Sequence, residues 1–227
     1  MSITDILRPE TLDFRQLSKY NTFYMKKIET IWHFLLLQAL SEGVFRHTQQ
    51  DLAKRFHMSL STVHHALHTP TAIGAIRKES KFFVLEDAIK LMYYWASARN
   101  LNRRIFYQTY SDKPIQEIES FALPTSIFAC YSAARIIMGE APADYGMVYF
   151  YENPTHIKDI QTRFPMNSKK HANVFFLTKP PDMAAYGQYT TLPLTFVDIW
   201  NLSDWYAKDF IKALEEKIHG VLSQSHH

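Results

Sequence analysis

Residues 48 to 70, "TQQDLAKRFHMSLSTVHHALHTP", constrain this chain more than any other stretch. They read as two short helices joined by a tight turn. Thr48 can cap the first, with Asp51 bringing a carboxylate to its N-terminus and Leu52, Ala53 and Phe56 forming its inner face. Ser59 or Ser61 can cap the second, whose Leu60, Val63, Ala66 and Leu67 are predicted to face inward until Pro70 ends it. Neither helix is long enough to stand alone in water, so both must pack on a third element.

That element precedes them. Ile28, Ile31, Trp32, Leu35, Leu36 and Ala39 recur at the spacing of one helix face, which predicts a helix over residues 26 to 40 with Gly43 as its stop. Phe34, Leu37 and Leu40 make a second apolar stripe, so this helix either lies between two layers or forms an interface. Residues 1 to 25 are weakly patterned, with one short helix expected at 4 to 7. After Pro70, "AIGAIRKESKFFVLED" predicts two short strands, at 73 to 77 and 82 to 85, around a charged turn. A helix in "DAIKLMYYWASARN" follows. Helix, helix, turn, helix and hairpin is the order of a winged helix-turn-helix over residues 1 to 100.

In such a unit the second helix of the pair enters the major groove and the first braces it. Ser59, Ser61, Thr62, His64 and His65 then stand where donors can meet phosphates or base edges, and Lys54, Arg55 and Arg46 where they can touch the backbone beside them. Arg77, Lys78 and Lys81 cluster at the wing tip, within reach of a phosphate or the minor groove. Charge agrees with that placement. Residues 1 to 100 hold 13 Lys and Arg against 9 Asp and Glu, and the remainder 12 against 13. Double-stranded DNA is the expected partner. The segment "FHMSLSTVHHAL" also resembles the turn and recognition helix of many bacterial and archaeal repressors, departing at His57 where that pattern has a Gly of positive φ.

Other chemistry finds less support. His64 and His68 have the i, i+4 spacing of zinc ligands, but no acidic residue stands directly between them, and His47 and His57 join them only if the fold brings them together, so no metal is expected. Cys130 is the sole cysteine and reads as a buried thiol, which leaves no disulfide framework. With 6 glycines in 227 residues there is no phosphate-cradling loop, and no cofactor is expected. Asp182, Glu215 and Lys217 fit no nuclease spacing, and Asp144, Glu152 and Asp198 read as loop or capping carboxylates near strand ends, so the chain is expected not to be an enzyme. "IWHFLLLQAL" is too short and too polar for a membrane span, and "MSITDILRPE" lacks the regions of an export signal, which points to a cytoplasmic protein.

The second half alternates β-rich and helical runs, "SIFAC", "YSAARIIM", "MVYFYE", "THIKDIQTRF", "NVFFLT", "LTFVDIW" and "DWYAKDFIKALEEKI". The fold class expected is α/β (α+β), with a winged helix-turn-helix, a packed connection at 101 to 114, and a small α/β domain at 115 to 227 around a mostly buried sheet. "IESFALPTSIFACYSAARIIMGEAPADYGMVYFYENP", "ANVFFLTKPPDM" and "LPLTFVDIWNLSDWYAKDFIKALEE" resemble the C-terminal part of AbiEi-type antitoxins and transcriptional regulators. The resemblance covers roughly residues 26 to 219, with Ala129-Cys130 where that family has Thr-Gly and Leu194-Thr195 where Gln-Thr is usual. It implies a winged helix that represses its own operon through inverted repeats, joined to a domain that in some members counters a toxin. What it leaves open is the second domain's role: sensing, self-association as a homodimer, or contact with a toxin. A protein-interaction module that has lost DNA is the alternative.

Overall fold

The computed structural model describes residues 27 to 180, 183 and 187 to 224. The expected helix at 4 to 7, Lys26 and Asp182 lie outside the described residues. The N-terminal half contains α1 (Lys27–Glu42), β1 (Arg46–His47), α2 (Gln49–Arg55), α3 (Leu60–Ala72), β2 (Ile76–Lys78), β3 (Phe83–Leu85) and α4 (Ala88–Ala98). The rest contains β4 (Ile105–Thr109), α5 (Ile115–Ser120), β5 (Ile127–Ala129), α6 (Cys130–Met138), β6 (Val148–Glu152), α7 (Ile157–Arg163), β7 (Val174–Thr178), α8 (Leu192–Trp200) and α9 (Ala207–Gln224). This is the expected mixed fold: a winged helix-turn-helix, then an α/β part.

Local chemistry sets the helix pair. The Thr48 hydroxyl accepts from the Asp51 amide at 3.1 Å and donates to its carboxylate at 2.7 Å, closing the N-terminus of α2. At the other end the Met58 amide reaches the Ala53 carbonyl at 2.9 Å and the His57 amide the Lys54 carbonyl at 3.4 Å. Those two bonds are a Schellman motif, and its left-handed residue is His57, with φ +50°. A residue without Cβ fits best there, but the short polar His is tolerated where a β-branched side chain is not. Of the two candidate caps for α3 it is Ser59 that serves, accepting from the Thr62 amide at 3.1 Å.

Pro70 does not end α3, contrary to expectation. The helix runs to Ala72 and closes in a second Schellman motif, with Ala75 N–H on Pro70 O at 2.9 Å, Gly74 N–H on Thr71 O at 3.0 Å and Gly74 at φ +75°. Proline's missing N–H leaves the Ala66 carbonyl without a helical donor. The indole N–H of Trp32 on α1 takes that oxygen at 2.7 Å.

The wing strands are shorter than predicted: Ile73 is the C-cap of α3 and not a strand residue, and pairing begins at Ile76. A strand the sequence did not announce, β1, pairs with β3, giving the order β1-β3-β2. The second sheet has the order β4-β7-β6-β5, with β6 and β7 parallel and both outer pairs antiparallel. Helices α5 and α7 cover one face through Ile118 and Ile160 against Val148, Phe150, Val174 and Phe176. The other face, with Tyr149, Tyr151 and Leu177, joins a core shared with α6, α8, α9 and the winged helix itself. Every residue of β6 is buried, as befits a central strand that is apolar or aromatic from Val148 to Tyr151 and ends in Glu152.

"LTFVDIW" forms no strand. It is α8, opened by Pro193 and buried from Pro193 to Ile199 because α1 and α4 lie against it from the winged helix and α6 and α9 from the C-terminal half. A helix covered all round lacks the one-sided pattern that distinguishes helix from buried strand. Asp198 is accordingly not near a strand end but fully buried inside this helix. The second stripe of α1 is also explained, since Phe34 meets Phe56 at 5.3 Å and His47 at 5.7 Å while α8 and α9 lie against the helix elsewhere.

Candidate nucleic-acid interface

Helix α3 is anchored by one face and bare on the other. Val63, Ala66, Leu67 and Pro70 are buried, whereas Ser59, Ser61, His64, His65 and His68 are exposed and Thr62 is half-buried. Leu60 corrects the expectation of an inward face: it is 52% exposed. Ser59 and Thr62 spend their hydroxyls on each other, 2.9 Å apart, in addition to the cap. Ser61, His64 and His65 are exposed on the leading turns of this helix and make no side-chain hydrogen bond among the described residues.

The wing meets the same turn. One cleft of about 510 Å³ is lined by Gln49 and Gln50 on α2, Leu60 on α3, and residues 79 to 83 of the wing, so Lys81 and the head of α3 frame a single concavity. The basic residues are not equivalent. Arg77 is held by the carboxylates of Glu79 and Glu86, the latter at 2.7 Å. Arg46 lies over the Phe82 ring at 3.6 Å and Arg55 over Phe34 at 4.5 Å, both exposed but stacked. Lys54, Lys78 and Lys81 are exposed and form no ion pair among the described residues.

Between the winged helix and the C-terminal half lies a cluster that the sequence does not announce. The Arg99 guanidinium, at the end of α4, donates to Glu29 of α1 at 2.6 Å, to Asp198 of α8 at 2.7 Å and to the Tyr151 hydroxyl of β6 at 2.7 Å. Trp95 and Arg104 also donate to Glu29, and Tyr151 to Asp198 at 2.8 Å. Burial alone would raise the Glu29 carboxyl, but Arg99 and Arg104 outweigh it and hold it below the ordinary carboxylate value. For Asp198 burial prevails and the pKa lies above the ordinary value. Beside it, burial and the Arg99 charge push His33 down to about 3, a neutral ring 2.7 Å from the Thr191 hydroxyl. The winged helix is thus bolted to the C-terminal half by buried polar groups.

The remaining carboxylates separate. Asp144 is exposed on a loop, and Glu215 and Lys217 ride on α9. Glu152, fully buried at the end of β6, accepts from Ser126 and Thr125 at 2.8 Å, from the Asn153 amide at 2.7 Å, and pairs with His156 at 3.0 Å. Cys130 is buried at φ +49° heading α6, and burial raises its thiol well above the usual value. Among the described residues no three His, Cys, Asp or Glu side chains gather as a metal site, and no helix is long and apolar enough to cross a membrane.

Residues 34–80, from the middle of α1 to the wing turn, match the IclR helix-turn-helix domain. The fold and this match define a winged helix-turn-helix DNA-binding regulator. No curated protein and no solved structure matches the chain.

Proposed function

We propose that the chain is a transcriptional repressor in which α3 reads the major groove and the wing holds the flanking backbone. The observation carrying this is the division of labour on α3: Ser59 is spent on the cap, while Ser61 and His65 stand exposed on the same turns. Ser61 and His65 are the base readers, Thr62 and His64 support them, and Lys54, Lys78 and Lys81 supply phosphate contacts, with Arg46, Arg55 and Arg77 as stacked or paired cations at the margin. Residues 1 to 100 form the reading unit, 101 to 114 the connection, and 115 to 227 a domain that makes a homodimer over an inverted repeat. An antitoxin role for that domain is the further reading that the AbiEi-type resemblance suggests, with no residue of this chain assigned to it. A purely protein-binding reading is favoured by Leu60, since an exposed leucine at the head of α3 suits a protein groove as well as a thymine methyl.

The test is fluorescence anisotropy of the full chain on a duplex from its own upstream region and on a scrambled duplex, across a salt series. The repressor reading expects the specific duplex to bind roughly a thousandfold more tightly. Replacing Ser61 and His65 together by Ala should erase most of that ratio while sparing scrambled-duplex binding. Equal, weak binding to both duplexes by the unaltered chain would leave the protein-binding reading.

A further inference from the structure

The C-terminal sheet ends at β4, and a cleft of about 820 Å³ opens along that strand, lined by none of the residues assigned to DNA. Its walls include Phe106 and Gln108 of β4, Phe175 of β7, Asn102, Asn167 and Lys170. A second concavity of about 640 Å³ is lined by Tyr110, Ser168, Lys169, Lys170 and His171. The two share Ser168, Lys170 and His171, so they adjoin as two lobes along that loop. Neither lobe has an acidic side chain in its lining.

The loop between the lobes is held in place. Asn167 accepts from the Tyr110 amide at 3.2 Å, and its own amide donates to the Thr109 hydroxyl at 2.9 Å. The side chain of Asn173 accepts from the Ser111 amide at 2.8 Å and donates to its carbonyl at 2.9 Å, fixing the loop's far end. Lys170 donates to the Tyr110 hydroxyl at 3.1 Å and lies 5.0 Å over its ring. Lys170 forms no ion pair among the described residues, and no acidic side chain lines either lobe to offset its charge.

We propose that this cleft binds a nucleotide. The wider lobe offers two half-buried aromatic rings, Phe106 packed against the core under α5 and α7 and Phe175 stacked by one face on Tyr149 at 4.6 Å, and exposed amides, Asn102 and Gln108, so a heteroaromatic base would meet a single ring and have its edges read by the amides. The narrower lobe offers the ammonium groups of Lys169 and Lys170 with the His171 ring beside them as a hydrogen-bonding group, an arrangement that suits a phosphate chain. The size is that of a small-molecule site.

Equilibrium dialysis of the full chain against ADP, GDP, CDP and UDP tests it, with the matching nucleosides and inorganic pyrophosphate as truncated probes. At least one nucleoside diphosphate should bind saturably, its nucleoside and pyrophosphate each roughly tenfold more weakly. Reversing charge at the exposed pair, Lys169→Glu with Lys170→Glu, should weaken it by about tenfold or more with an unchanged circular dichroism spectrum. Gln108→Ala, also exposed, should change the preference among bases. No saturation by any of the four at about 5 mM, pyrophosphate binding as well as the nucleotides, or undiminished binding by the charge-reversed chain would overturn the assignment.

Discussion

The indole N–H of Trp32 donates across 2.7 Å to the carbonyl oxygen of Ala66, the oxygen that Pro70 leaves without a helical partner. Both groups are buried, so Trp32→Phe strands an acceptor and should cost about 1–3 kcal/mol in urea denaturation. In a Pro70→Ala background the restored N–H can serve the same oxygen. The cost of Trp32→Phe should there be smaller by about 1 kcal/mol, and strictly additive losses would show that the two residues do not share this bond.

Arg99 serves two carboxylates and a phenol at once, with nothing exposed to water at its side chain. Arg99→Met should therefore destabilise by about 3–5 kcal/mol, since Glu29 and Asp198 would remain buried without their shared cation. Glu29→Gln, which keeps an acceptor for Trp95, should cost less. Denaturant midpoints at constant m-value check both.

His33 makes stability fall on mild acidification. Its folded pKa, about 3, lies below the ordinary 6.5 because burial and Arg99 disfavour the charged ring. The unfolded chain then binds the proton first, so stability is full above about pH 6.5 and declines as pH falls toward 3, by up to about 1.4 kcal/mol per unit. Between pH 6.5 and 5, above the ordinary carboxylate range, His33→Gln should flatten the decline. An unchanged slope in that variant would assign the effect to other histidines.

The wing lysines differ from their arginine neighbour. Lys78→Ala with Lys81→Ala should reduce the slope of log K against log salt by about 0.9 for each phosphate that is no longer neutralised. Arg77→Ala should change it little, as Glu79 and Glu86 already balance that charge. A slope unaltered by the lysine changes would take the wing off the DNA.

His57 sits at φ +50° in the turn between α2 and α3. His57→Gly should leave stability equal or raise it by up to about 1 kcal/mol, while His57→Val should lower it by about 1–2 kcal/mol. Thermal melts of the two variants give the comparison.

The features legible in the amino-acid sequence are local ones. The caps at Thr48 and Ser59, the left-handed turn at His57, the spacing of Leu52, Val63, Ala66 and Leu67, and the basic wing tip all depend on bonds or periodicity within a few residues, so the helix-turn-helix and most of its exposed face could be read from them. The remaining features arise only where distant elements meet. Pro70 stays inside α3 because a tryptophan on α1 satisfies the carbonyl it frees. Leu60 is 52% exposed and lines a cleft with α2 and the wing, although its spacing matches the buried positions. α8 has no one-sided apolar pattern because it is covered on all sides, and Asp198 is tolerated within it because Arg99, 99 residues away in sequence, and the Tyr151 hydroxyl arrive to pair with it. Burial and pairing are properties of which elements meet, and no local window of sequence contains them.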